Sequence, residues 1–123
     1  MASYRDLLVW RKAMDLAEGA YSLAKLMPKT EQFRLTAQLL RAAVSVPANI
    51  AEGRARTGKR EFLNFLSIAS GSLAETETLL MLAVRTGLLP KAEVMPVFRT
   101  AEEVGRMLTA LKQSLRERAG VKF

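Results

Sequence analysis

Six polar residues, Arg34, Gln38, Arg41, Ser45, Asn49 and Glu52, recur at spacings of 4, 3, 4, 4 and 3 in a stretch otherwise filled by Ala, Leu, Val and Ile. That spacing stacks them on one face of a helix. A cation, a carboxylate, a hydroxyl and a carboxamide on one face can move protons, help hold a metal or saturate one another in a hydrogen-bonded seam. Directly after them come Arg54, Arg56, Lys59 and Arg60, four cations in seven residues. Arginine forks grip phosphate bidentately, and the start of a following helix adds free N–H groups and a positive dipole end. This turn is the best phosphate-binding candidate in the chain. The competing reading is a charged turn that only solvates one end of the protein.

The rest of the sequence limits what the stripe can do. There is no histidine and no cysteine. Carboxylate-bound metal sites inside helical bundles need a Glu-x-x-His pair or its equivalent on two helices, so no metal is expected. Glu52 or Glu75 could act as an acid or base, but no nucleophile or oxyanion motif accompanies them. No catalytic residue, enzyme activity or cofactor is therefore expected. The alternative is structural: Arg41, Ser45, Asn49, Glu52 and Glu75 form a polar network. In it Arg41 pairs with Glu75, and Asn49 serves backbone groups freed by Pro47. Buried polar groups need such partners, and networks of this kind fix register. Trp10 and Tyr21 read as core or interface anchors rather than a cofactor stack.

The elements that must position these residues are helical. The 123 residues suit a single domain spanning 1–123. Half are hydrophobic but only 7% are aromatic, which is the composition of helices packed on helices. So much apolar surface in so small a domain implies burial against further copies of the chain. The net charge of +7 and a pI near 10.3 favour a polyanionic partner, RNA or DNA, without a base-reading motif. No apolar run nears the roughly 20 residues of a membrane span, and the first residues lack a signal-peptide pattern. A cytoplasmic protein without membrane contact is expected.

Periodicity predicts an antiparallel, up-down-up-down four-helix bundle with helices at about 8–27, 31–54, 58–86 and 91–118. The first carries two apolar stripes. Val9, Ala13, Leu16, Ala20, Leu23 and Met27 form one, and Trp10, Met14, Ala17, Tyr21 and Ala24 form the other. One is expected to meet the core and the other a subunit. The second helix starts after Thr30 as N-cap and passes through Pro47 with a kink. Gly53 is expected at its left-handed C-cap. Thr57 is expected to cap the third helix, Gly71 to permit a close approach, and Gly87 to stop it. Pro96 is expected to bend or delay the fourth helix. That helix exposes Arg99, Glu102, Glu103, Arg106, Lys112, Arg116 and Arg118. The tail from Ala119 is expected to fray.

The run Arg41-Ala42-Ala43-Val44-Ser45-Val46-Pro47-Ala48-Asn49-Ile50-Ala51-Glu52-Gly53 resembles the signature of proteins encoded by intervening sequences of bacterial 23S ribosomal RNA genes. Segments 4–13, 61–72 and 74–78 match in the same order, so the resemblance covers nearly the whole chain. Thr57-Gly58 replaces a more usual Ser-rich turn, and Pro96 is additional. The resemblance implies an antiparallel four-helix bundle assembled as a ring-shaped homopentamer. It also implies kinship with the accessory variability determinant of diversity-generating retroelements, a basic pentameric barrel that binds a reverse transcriptase and nucleic acid. Two readings follow: a non-enzymatic nucleic-acid binder, or a protein–protein adaptor such as a reverse-transcriptase accessory subunit.

Overall fold

A computed structural model describes residues 3–119. Among them are four α-helices and no strand: α1 (Leu8–Ala24), α2 (Leu35–Ala55), α3 (Lys59–Arg85) and α4 (Lys91–Ala119). Short 3-10 turns precede α1 at Tyr4–Asp6 and α2 at Lys29–Glu31. Ala119, expected to begin a frayed tail, is the last residue of α4, and 120–123 lie outside the described residues.

Of the two apolar stripes of α1, the one that faces the interior is Val9, Ala13, Leu16, Ala20 and Leu23. The helix ends at Ala24 rather than Met27. There the bonds tighten to three-residue spacing, with Leu26 N–H on Leu23 C=O and Met27 N–H on Ala24 C=O. Helix α2 also starts later than its sequence suggests. Thr30 lies in the 3-10 turn, and Arg34 has a non-helical backbone (φ −117°, ψ −112°) that breaks the ladder. The Glu31 carboxylate accepts weakly from Leu35 N–H at 3.4 Å, in place of a Thr30 cap. From Leu35 the helix runs unbroken through Pro47.

Glycine roles differ from the expected ones. Gly53 is not a left-handed cap, and among the described residues only Gly87 has positive φ, at 77°. Gly53 is buried inside the last turn of α2, where an added Cβ would lie 2.6 Å from Phe65 Cβ on α3. It is there to let two helices touch. Gly71, expected in that role, is exposed and faces open space. Gly87 does end α3: its N–H bonds Val84 C=O and the Leu88 N–H bonds Ala83 C=O, the paired closure of a Schellman motif. Gly58, not Thr57, occupies the N-cap of α3, with no side-chain hydrogen bond. Pro96 sits inside α4 without delaying its start at Lys91.

Each helix packs on its neighbours in sequence and α4 closes back on α1, with α2 against α3 the most extensive contact. The core falls into two clusters. One joins Val9–Leu16 positions of α1 to Val46 and Ile50, Phe62–Leu73 positions of α3, and Ala101–Leu115 positions of α4. The other joins Ala20, Leu23 and Met27 to Leu39, Ala43 and Leu80 and to the start of α4. Leu16, Leu66, Leu80 and Leu108 are wholly buried. Each such side chain contributes about 1.5–3 kcal/mol of transfer free energy. The second α1 stripe is only partly covered: Ala17 is buried and Trp10 and Ala24 are half-buried, but Met14 and Tyr21 are exposed.

Candidate nucleic-acid interface

The basic turn is built by the C-terminus of α2, the three-residue link 56–58 and the first turn of α3. The Gly53 contact brings the two helices close here, so the arginines meet the phenylalanines of α3. Arg54 lies over the Phe62 ring with its guanidinium carbon 6.0 Å from the centroid. Arg56 lies over Phe65 at 5.0 Å. Arg56 also pairs with Glu52 at 3.1 Å and with Glu61 at 3.7 Å. The four cations are therefore not equivalent. Arg56 is held by two carboxylates. Lys59 and Arg60 are exposed and form no ion pair among the described residues, and half-buried Arg54 has only its ring. Glu61 in the first turn also takes up part of the dipole of α3.

A second group of basic and aromatic residues adjoins this end. Leu7 and Trp10 pack on the core cluster that contains Phe62 and Leu63. The preceding 3-10 turn contacts α2. Ser3 caps that turn by accepting from Arg5 N–H, and Arg11 Nε donates to Arg5 C=O at 2.9 Å. Tyr4 meets Trp10 edge-on with centroids 5.1 Å apart, and the Arg5 guanidinium lies 5.1 Å over the Tyr4 ring.

The polar stripe of α2 is only partly drawn together. Asn49 Nδ2 donates to Ser45 C=O and Ser45 Oγ, both at 2.8 Å, and Ser72 Oγ on α3 donates to Ser45 Oγ at 2.9 Å. This three-residue seam is half-buried between the two helices. The other expected members stand apart. Arg41 and Glu75 are both exposed and no ion pair joins them; Glu52 turns to Arg56. Asn49 also serves the Ser45 carbonyl rather than that of Ala43, the group left without a donor by Pro47. At this level of exposure water satisfies an Arg or Glu alone, so nothing drives the pair together.

The α3–α4 face holds features without an obvious sequence signature. Lys112 Nζ donates to Ser70 Oγ at 2.9 Å, and Ser70 Oγ donates on to Leu66 C=O. Burial, and then the charge of Arg116, holds the Lys112 ammonium below the usual lysine range. Further along, Glu77 and Glu102 flank a groove of about 630 Å³ floored by Leu73, Gly105 and Ala110. Burial, and then the Glu102 carboxylate, pushes Glu77 above the usual glutamate range. Among the described residues no group of three or more His, Cys, Asp or Glu is placed to hold a metal ion. No described helix is long and apolar enough to cross a membrane. The Arg118 side chain lies outside the described residues.

A family model described as 23S rRNA-intervening sequence protein matches residues 5–110. The chain belongs to this family. A crystal structure of a protein of unknown function from the S23 ribosomal protein family, from Bacteroides thetaiotaomicron VPI-5482, has a similar fold. It superposes with a TM-score of 0.80 at 26% identity, covering 85% of this chain and 98% of that one. No curated protein matches. The span matched by the intervening-sequence family contains the basic turn, the Ser45–Asn49–Ser72 seam and the Arg5–Tyr4–Trp10 stack apart from Tyr4 itself. Lys112 and Arg116 lie beyond it. The three arginine–ring contacts escaped the sequence reading, although one signal was present: arginines just before a short turn, phenylalanines just after it.

Proposed function

We propose that this member of the intervening-sequence family is a non-enzymatic, homo-oligomeric helical bundle that binds RNA or DNA without strong sequence preference. The observation that carries the reading is the set of cations at the α2–α3 turn. Lys59 and Arg60 are exposed without ion pairs among the described residues, beside Arg54 and the start of α3, in a chain of net charge +7. Such a set neutralises phosphates and reads no bases. Arg56, already paired twice, adds less.

We further propose up-down-up-down helices assembled as a homopentameric ring in the cytoplasm. Contacts between helices support the first part: Ser45 meets Ser72 while Gly53 meets Phe62 and Phe65, so positions later in α2 meet positions earlier in α3. For assembly, a groove of about 410 Å³ between α1 and α2 is lined by Met14, Ala17, Tyr21, Val44 and Pro47. Met14, Tyr21 and Val44 are each about 40–50% exposed in the single chain. Subunit contact would cover them, and a ring would multiply weak phosphate binding through avidity. Light scattering giving a 13.6 kDa particle would refute the assembly.

The binding test changes Arg54, Arg56, Lys59 and Arg60 together to Gln. Affinity for mixed-sequence RNA and DNA is then titrated against salt. With about three fewer phosphates neutralised per site, the log–log salt slope should flatten by about 2–3. Folding should be little affected: Arg56, Lys59 and Arg60 are exposed, and only half-buried Arg54 leaves a partly covered ring contact. An unchanged affinity and slope would reduce the turn to a solvated end.

A further inference from the structure

The cation–ring contacts among the described residues, Arg5 on Tyr4, Arg54 on Phe62 and Arg56 on Phe65, all lie at one end of the fold. There the 3-10 turn before α1 contacts α2, and Leu7 and Trp10 pack on the cluster that includes Phe62. Phe62 and Phe65 are about one turn apart on α3, so Arg54 and Arg56 lie over neighbouring rings. Arg5 and Arg56 are exposed and Arg54 half-buried. Each guanidinium carbon lies within 6.0 Å of its ring centroid.

Phosphate neutralisation alone does not need this arrangement, and lysine on a free stem would serve it. A guanidinium held over a ring is instead a fixed, flat, weakly hydrated surface. Unpaired bases stack on such planes and on aromatic rings. In a duplex the base faces are already stacked on one another and cannot reach them. Resting on the nucleic-acid reading above, we infer that the preferred ligand is single-stranded nucleic acid. Its bases stack on the Arg5, Arg54 and Arg56 planes while Lys59 and Arg60 take the phosphates.

The test separates stacking from charge. Arg5, Arg54 and Arg56 are changed together to Lys, which keeps every positive charge and lets residue 56 still pair with Glu52 and Glu61. Binding of one mixed-sequence oligonucleotide is measured by fluorescence anisotropy, as a single strand and annealed to its complement, with circular dichroism confirming the fold. The wild type should prefer the single strand. The Lys variant should lose roughly tenfold or more in single-strand affinity, by the usual strength of base stacking, and hold its duplex affinity within about twofold. Equal wild-type affinity for both forms, or equal loss for both, would overturn the inference while leaving polyanion binding intact. Wild-type binding to neither form would overturn both readings.

Discussion

Gly53→Ala and Gly71→Ala should move stability in opposite directions. Both glycines lie inside helices, and in a helix interior Ala is favoured over Gly by about 1 kcal/mol. At Gly71 nothing lies within 4 Å of the added Cβ, so most of that gain should appear. At Gly53 the added Cβ would stand 2.6 Å from Phe65 Cβ and 3.1 Å from Phe62 Cδ1. Carbon atoms pack at about 3.5–4.0 Å, so roughly 1 Å of separation must be found. The tip of Phe62 can rotate a little. Phe65 Cβ is fixed to the α3 backbone, so relief there requires parting the two helices along their tightest stretch.

Overpacking costs about 1–3 kcal/mol, and a 2.6 Å approach to an atom fixed on the α3 backbone puts this site in the upper part of that range, above the gain in helix propensity. The net expectation for Gly53→Ala is a loss of about 1–2 kcal/mol. At this chain length that is a fall in melting temperature of roughly 4–8 °C, against a rise of a few degrees for Gly71→Ala. Thermal unfolding followed by far-ultraviolet circular dichroism measures both. Protomer concentration must be held fixed, because assembly adds to apparent stability. If Gly53→Ala melts at or above the wild type, α2 and α3 do not approach as closely as 2.6 Å implies, and the argument for the paired arginine planes weakens with it.

Ser72→Ala removes the donor to Ser45 Oγ and should cost about 1 kcal/mol in urea denaturation, with no effect of comparable size from Arg41→Ala. Leu80→Ala empties a wholly buried site and should cost about 2–5 kcal/mol by the same assay. Glu77→Gln should stabilise the protein modestly at neutral pH, by less than about 1 kcal/mol given how open the site is. The folded state raises the Glu77 pKa, so it holds this proton more tightly than the unfolded chain, and stability falls as pH rises through that range. The Gln advantage should therefore vanish near pH 3, where Glu77 is protonated in both states, and a pH series of melts will show whether it does.

Helix existence was legible because it rests on period alone. Spacing puts Val9, Ala13, Leu16 and Leu23 on one face of α1 but does not say which of its two apolar stripes turns inward, and α2 could be carried through Pro47 because the pattern keeps phase across it. Helix ends were less legible, since they rest on local competition. Thr30 is a good cap in isolation, yet the 3-10 turn and the Arg34 backbone delay α2 to Leu35. The glycines show the same limit. Nothing in the sequence distinguishes Gly53, which makes contact, from Gly71, which does not, because the difference lies in what α3 presents opposite each. In the polar stripe, Ser45 and Asn49 are one helical turn apart and their bond is local. Arg41 with Glu75 needed two long side chains to meet across helices, and exposure removed the incentive.

The same close approach that shapes the α2–α3 contact also shapes what the basic turn can offer a ligand. With any residue larger than glycine at position 53, the helices would stand farther apart. Arg54 and Arg56 would then lose the rings that hold them, while the charge of the turn stayed the same. Stability and binding are thus coupled at this position but separable elsewhere. Gly53→Ala should weaken single-strand binding even though it removes no cation and touches no phosphate. Leu80→Ala, in the core cluster away from Phe62, should lower stability at least as much and leave binding by the folded protein unchanged. That contrast distinguishes an end preorganised for stacking from one that merely carries charge, because a purely electrostatic end would tolerate both substitutions equally well.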